Sequence, residues 1–201
     1  MRLSLVGNSI GDNLILEMVL EIMKSENALL CLDLEGFDLH VEGLAELLKT
    51  CVLDGASVGF VLPFSQNESL SFWNNHVRPG VASGQTVLMV YFVEGQVVGT
   101  VQLCSSVMPN QVHRADVSKL LVSPLFRKRG IAKALMAELE TQAVARGKSL
   151  ITLDTRTGDN AELLYHQLGY ETAGVIPGYC RDTHDADRYD PTTYMYKRLK
   201  I

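Results

Sequence analysis

The chain has 201 residues, 47% of them apolar and 20% charged, with a net charge of −5. That suits one domain with a sizeable core and argues against a general nucleic-acid binder, which needs a basic face. Cys31, Cys51, Cys104 and Cys180 are widely spaced with no Cys-x-x-Cys pair, so free thiols, three of them in apolar runs and expected to be buried, fit better than a disulfide framework.

Residues 1–26 are the least readable part. Leu14 to Met23 could form a short helix after an Asp12 or Asn13 cap. A single Arg and the breaks at Gly7-Asn8-Ser9 and Gly11-Asp12-Asn13 make a poor signal peptide, and no apolar run is long enough to span a bilayer, so a reduced cytoplasm is expected. Ala28 to Leu34 reads as a strand. Leu44, Leu47, Leu48, Cys51 and Val52 fall at helical spacing, predicting a helix near 41–53. Gly55 to Gly59 is a small-residue loop, and a second helix is expected over Glu68 to Val81 with Trp73 on its buried side.

Thr86 to Val93 and Gln96 to Ser105 are strand-like runs split by Glu94-Gly95, a hairpin signal. Residues 113–122 give a third strand. Ile131, Leu135, Met136, Leu139 and Ala143 set a helix over 129–146, closed at Gly147. Leu150 to Asp154 follows as a strand, Asn160 to Leu168 as a helix with Asn160 as a candidate cap, and Glu171 to Ile176 and Thr192 to Leu199 as strands. Cys180 to Pro191, between the last two, is acidic and expected to face solvent. An antiparallel meander followed by β-α-β predicts an α/β fold: a mixed, mostly antiparallel sheet with helices on both faces.

The segment Leu120-Leu121-Val122-Ser123-Pro124-Leu125-Phe126-Arg127-Lys128-Arg129-Gly130-Ile131-Ala132-Lys133 carries the clearest chemistry. A strand stops at Ser-Pro, a basic turn follows, and a helix begins at once. Free N–H groups at a helix start, with Arg127, Lys128, Arg129 and Lys133 beside them, suit a pyrophosphate. Gly130 lets the backbone approach without a Cβ, and Ala132 is the next smallest choice. The alternative is a solvated basic turn, but cations at the positive end of a helix dipole are unfavourable without an anion. Gly-Lys-Ser/Thr and Gly-x-Gly-x-x-Gly are both missing, which sets aside Walker and Rossmann loops.

Strand, Arg-x-x-Gly-x-Ala and helix in this order resemble the coenzyme-A pyrophosphate loop of the GNAT superfamily of N-acetyltransferases. Leu153-Asp154-Thr155, Asn160 to Tyr165 and Leu168-Gly169-Tyr170 resemble a second signature of that superfamily. Gly55 to Phe60, Arg114 to Val117 and Pro177 to Cys180 narrow the likeness to its tabtoxin-resistance group, over about residue 40 to the end. Lys128 stands where the loop usually has Gly, Ala132 where Gly is commonest, and Asp116 where Glu is expected.

The resemblance implies a GNAT domain over 27–201, after an extension at 1–26, with a splayed central strand pair in its sheet. It implies acetyl-CoA as co-substrate, with the pantetheine arm along Leu120, Leu121 and Val122 and near Asn160, and no metal. Tyr165 would protonate the departing sulfur, and Asp116 and Asp154 would accept a proton or hold the amine. Ser57 and Tyr179 would contact substrate. The implied reaction is direct acetyl transfer to the primary amine of a small molecule, an amino-acid-like toxin or antibiotic being one candidate, with resistance as one role and a homodimer left open.

Each residue also has a plainer reading. Tyr165 could be a core tyrosine, and either aspartate could pair with Arg114, Lys119 or Arg156. His184, Asp182, Asp185, Asp187 and Asp190 only loosely resemble a hard-metal cluster. Rival functions are a non-catalytic acyl-CoA-binding module, or an acyltransferase with another donor or a protein N-terminus as acceptor.

Overall fold

The computed structural model describes residues 27–200, so the helix expected at Leu14 to Met23 lies outside the described residues. Strand β1 (Ala28–Leu32) stops at Asp33. Asp33 has an extended backbone, and its side chain accepts from the Gly36 N–H at 2.9 Å. That N-cap starts α1 (Leu34–Leu53) well before the residue the spacing predicts, and Leu34 is helical rather than the end of a strand. Before Leu44 the helix buries only Phe37, too little periodicity for its first turns to be legible.

Ser65 and Glu68 form a reciprocal capping box that opens α2 (Gln66–Phe72). A wider π turn (Trp73–Val77) and α3 (Arg78–Ala82) complete the run expected as one helix. Pro79 has no N–H to close an α turn, and the wider turn sits directly before it. Trp73 is fully buried, its ring packed against Phe37 and Phe72.

The remaining elements are β2 (Thr86–Val93), β3 (Gln96–Ser105), β4 (Arg114–Val122), α4 (Ile131–Ala145), β5 (Leu150–Arg156), α5 (Asn160–Gln167), β6 (Glu171–Arg181) and β7 (Tyr189–Arg198). The seven strands lie in the order β1-β2-β3-β4-β5-β7-β6, and only β4 and β5 pair in parallel. One core, built on Phe37, Leu44, Leu48 and Trp73, fills the space under α1 and α2. The other, built on Leu135, Met136, Leu139 and Ile151, lies under α4 and α5 on the opposite face.

β6 and β7 run past their expected limits, leaving only residues 182–188 between them. The register breaks between Ile176 and Cys180, at Pro177-Gly178, an irregularity an edge strand tolerates and one that hides the strand from alternation. Nor does the acidic turn wholly face solvent, because Asp182 and Thr183 are buried. Arg156 and Arg188 both pair with Asp182 and Asp190, which allows the carboxylates to leave water. All four cysteines are free; Cys51 is buried, Cys104 and Cys180 are half-buried, and Cys31 is exposed on edge strand β1.

Candidate active site

β4 and β5 pair only at Arg114↔Leu150, Ala115↔Ile151 and Asp116↔Thr152. Beyond that point the strands part, and the edge of β4 from Val117 to Val122 has no strand partner on the β5 side among the described residues. A slot therefore opens in the middle of the sheet. Leu120, Leu121 and Val122 run along it toward the basic turn.

At the end of β4, the Ser123 N–H donates to the Val98 carbonyl at 2.8 Å, and Pro124–Phe126 form one 3-10 turn. Lys128 (φ 61°) and Gly130 (φ 81°) are both left-handed, which explains why glycine suits position 128 and why a lysine there carries some strain. Gly130 caps α4 without any side-chain cap, and no acid lies in the first turn. The N–H groups of Ile131, Ala132 and Lys133 are left for an external acceptor.

The cations around this terminus do different jobs. Arg127 donates through Nη1 to Asp54, just past α1, and through Nε to the Val122 carbonyl at 3.3 Å. Arg129 lies over the Phe126 ring and donates to the Leu125 carbonyl. Lys128 and Lys133 are exposed. The basic turn thus spends Arg127 on holding its own shape.

The two aspartates are separated by their distance from the parting point. Asp116, in the last paired position, takes two bonds from Arg114 Nη1 at 2.7 and 2.8 Å and one from the Thr152 hydroxyl. That is the ion pair offered above as its plainer reading. Asp154, two residues beyond Thr152 on β5, is exposed and accepts from the Thr192 hydroxyl at 3.3 Å. Its charge reaches Tyr165, Lys119 and Tyr194.

Tyr165 is 5% exposed, its ring 5.7 Å from that of Tyr170, and its hydroxyl makes no hydrogen bond to a described residue. Burial, aided by the charge of Asp154, pushes the phenol well above its ordinary pKa and keeps it protonated. Asn160 is exposed and is the first residue of α5, not its cap; Asp159 takes the cap position and pairs with Arg156.

The loop after α1 is stitched to the β6–β7 turn. The Leu62 N–H donates to the Thr183 carbonyl, the Thr183 hydroxyl donates to the Ala56 carbonyl, and Ser57 Oγ lies 3.5 Å from Cys180 Sγ. Tyr179 and Tyr194 join through their hydroxyls at 2.8 Å. Beside this loop an open pocket of about 360 Å³ is lined by Phe60, Glu68, Phe72, His76 and Lys119, with Val58 and Gly59. Sequence reasoning set Ser57 of this loop against substrate but missed the walls from α2, the π turn and β4, where the one visible signal was Lys119, a charge inside the apolar run Val117 to Val122.

Residues 52–170, more than half the chain, match the model of the acetyltransferase (GNAT) family. The fold is similar to that of an N-acetyltransferase from Staphylococcus aureus Mu50 (18% identity, TM-score 0.70, 88% of this chain and 100% of that one). A ribosomal-protein-alanine N-acetyltransferase from Brucella melitensis is similar at 20% identity and TM-score 0.67, over 86% and 99% of the two chains. A GNAT superfamily phosphinothricin acetyltransferase from Sinorhizobium meliloti, in complex with acetyl-CoA, is similar at 21% identity and TM-score 0.69, over 86% and 88%. At these identities the likeness is one of fold, and the neighbours differ in what they acetylate. With the parted central strands and the uncapped helix start that follows them, the family match leads to one conclusion: the chain belongs to the GNAT acetyltransferase family.

Proposed function

We propose that this protein transfers an acetyl group from acetyl-CoA to the primary amine of a small, amino-acid-like molecule, as its resemblance to the tabtoxin-resistance group suggests. The observation that carries the reading is the slot that opens after Asp116 and Thr152, with Tyr165 buried on one side and the uncapped start of α4 at its end. The backbone N–H groups of Ile131 to Lys133 and the exposed lysines 128 and 133 would hold the pyrophosphate. The free edge of β4 at Leu120 to Val122 would pair with the pantetheine arm.

The amine nitrogen attacks the thioester carbonyl, the carbon–sulfur bond breaks, and the sulfur takes a proton. Tyr165, buried and kept protonated, would give it. Burial disfavours a thiolate as it disfavours a phenolate, so the sulfur's proton affinity rises in the same surroundings and keeps the transfer close to balanced. Asp154 is the better of the two carboxylates for accepting the amine's proton through water, since Arg114 and Thr152 already occupy Asp116. Cys31 lies on the far edge strand, and burial raises the thiol of Cys104 above its ordinary pKa. Cys51, at the other core, is raised to about 11 by burial, which favours direct transfer over an acyl-enzyme.

The test is release of free thiol from acetyl-CoA across a panel of amines. Tyr165→Phe keeps the ring packing and removes only the proton, so turnover should fall roughly 100-fold or more while acetyl-CoA affinity holds. Equal turnover would remove Tyr165 from the acid role, and no thiol release with any amine would sink the reaction.

A further inference from the structure

Lys119 sits where its sequence neighbours would not place it. Val117, Leu120 and Val122 pack against the α4-side core, and Leu121 against the α1-side core. Strict alternation from Val117 would send residue 119 to the α4 side as well. The pairing of β3 with β4 slips between Thr100↔Leu121 and Gln102↔Ser118, so Lys119 and Leu120 together oppose Val101. The lysine takes a left-handed backbone, φ 50°. This bulge turns its side chain onto the α1 face and into the pocket.

There Nζ lies 5.1 Å from the Phe72 ring centroid and 5.8 Å from that of Phe60. No carboxylate is within ion-pairing distance of it among the described residues. Aromatic faces favour an ammonium ion but do not neutralise it. Burial lowers its proton affinity, opposed by the charge of Asp154 across the slot. The other charge on the pocket wall, Glu68, is engaged: its Oε2 accepts from the Ser65 N–H at 2.8 Å and hydroxyl at 2.7 Å. On the same sheet face Gln102, only 4% exposed, leaves its Nε2 donor without a partner among the described residues. A half-buried cation in an open pocket, without a carboxylate partner among the described residues, describes a place for an anion.

We infer that Lys119 holds a carboxylate of the acceptor, so the pocket selects amines that carry a carboxylate over those that lack one. The inference rests on the acetyl-transfer reading for its kinetics but not for its binding. Phe60 and Phe72 would cover the apolar body of such a molecule. Lys119 is then a specificity-determining residue and not a proton carrier.

The experiment compares each of several amino acids with the amine left when its carboxylate is removed, at saturating acetyl-CoA, with thiol release as readout. The full chain should prefer the carboxylate-bearing member by roughly 10- to 100-fold in kcat/KM, the range of one charge-assisted hydrogen bond. Lys119→Met should erase that preference by raising KM for the carboxylate-bearing member alone, and Lys119→Arg should restore part of it. Wild-type protein that uses the decarboxylated amines equally well overturns the inference without any variant. So does an equal kcat loss on both members in Lys119→Met with no rescue by Arg, the pattern of a proton acceptor. Calorimetric titration of the same amino acids into protein loaded with coenzyme A separates the two readings. Binding that needs Lys119, without thiol release from any amine, upholds the carboxylate site and sinks the acetyl transfer. Absence of binding overturns the carboxylate site.

Discussion

Gly99 joins the sheet to the start of the helix that would hold the pyrophosphate, and adding one methyl group there tests that coupling. A Cβ at position 99 would lie 2.9 Å from Ile131 Cγ2, 3.1 Å from Leu135 Cδ1 and 3.3 Å from the Leu121 carbonyl oxygen. Ile131 is the first residue of α4, Leu135 is fully buried, and Leu121 is on the central strand. None of the three is the loose end of an exposed side chain, so α4 must lift away from the sheet at its N-terminal turn. Overpacking of this kind costs about 1–3 kcal/mol, which for a chain of this size lowers Tm by roughly 2–12 °C. The lifted turn also carries the free N–H groups away from the slot. Acetyl-CoA should bind about tenfold more weakly, equivalent to about 1.4 kcal/mol or most of one charge-assisted hydrogen bond. Differential scanning fluorimetry and calorimetric titration read the two effects, with Gly174→Ala as a control, since nothing lies within 4 Å of a Cβ there. Gly99→Ala with wild-type Tm and wild-type affinity would refute the claim that β3 positions the helix start.

Two further outcomes follow from the ion pairs. Asp182 is held at about 2 by the His184 and Asp185 N–H groups and by Arg188; a lowered folded-state pKa gives stability that is complete above about pH 4 and lost as pH falls toward 2. Asp182→Asn should therefore melt below wild type at neutral pH, with the gap closing as the solution is acidified, and a gap constant with pH would contradict the assignment. Arg127 and Asp54 form a half-exposed pair, so each alanine variant should cost little and the two should couple by about 0.2–1 kcal/mol in a double-mutant cycle. If Arg127→Ala instead weakened acetyl-CoA binding tenfold while Asp54→Ala strengthened it, Arg127 would be a direct phosphate ligand.

The elements proposed to face the coenzyme were legible as elements because they are contiguous. Strand, turn and helix start lie within residues 120–133, and left-handed Gly130 announces itself by residue type. Alternation and turn signals placed the β2–β3 hairpin to the residue, since Glu94 and Gly95 both take the positive φ such a turn needs. The pocket proposed for the acceptor is assembled from Phe60 in a loop, Phe72 and His76 at the π turn, and Lys119 on a bulge. No local pattern joins them. The bulge is formed by a lysine, with no glycine to mark it, and it reverses the facing of every later residue of β4. Nor do the neighbours of Asp154 in sequence report that the strands part beside it.

Where the strands part also decides what each carboxylate can do. Asp116 and Thr152 are the last paired residues of β4 and β5, and their side chains meet because the backbones are still a hydrogen bond apart. A carboxylate there is satisfied by its neighbours and has little left for a substrate. One alternation further, at Asp154, the opposing strand has moved away and only the Thr192 hydroxyl reaches it from β7. Its charge is instead felt by Tyr165, Tyr194 and Lys119, which come from α5, β7 and β4. The same opening that would admit a thioester arm thus strips Asp154 of a cross-strand partner and brings three polar groups within its field. The topology, more than the residue type, leaves Asp116 of β4 paired within the sheet and Asp154 of β5 without a partner on β4.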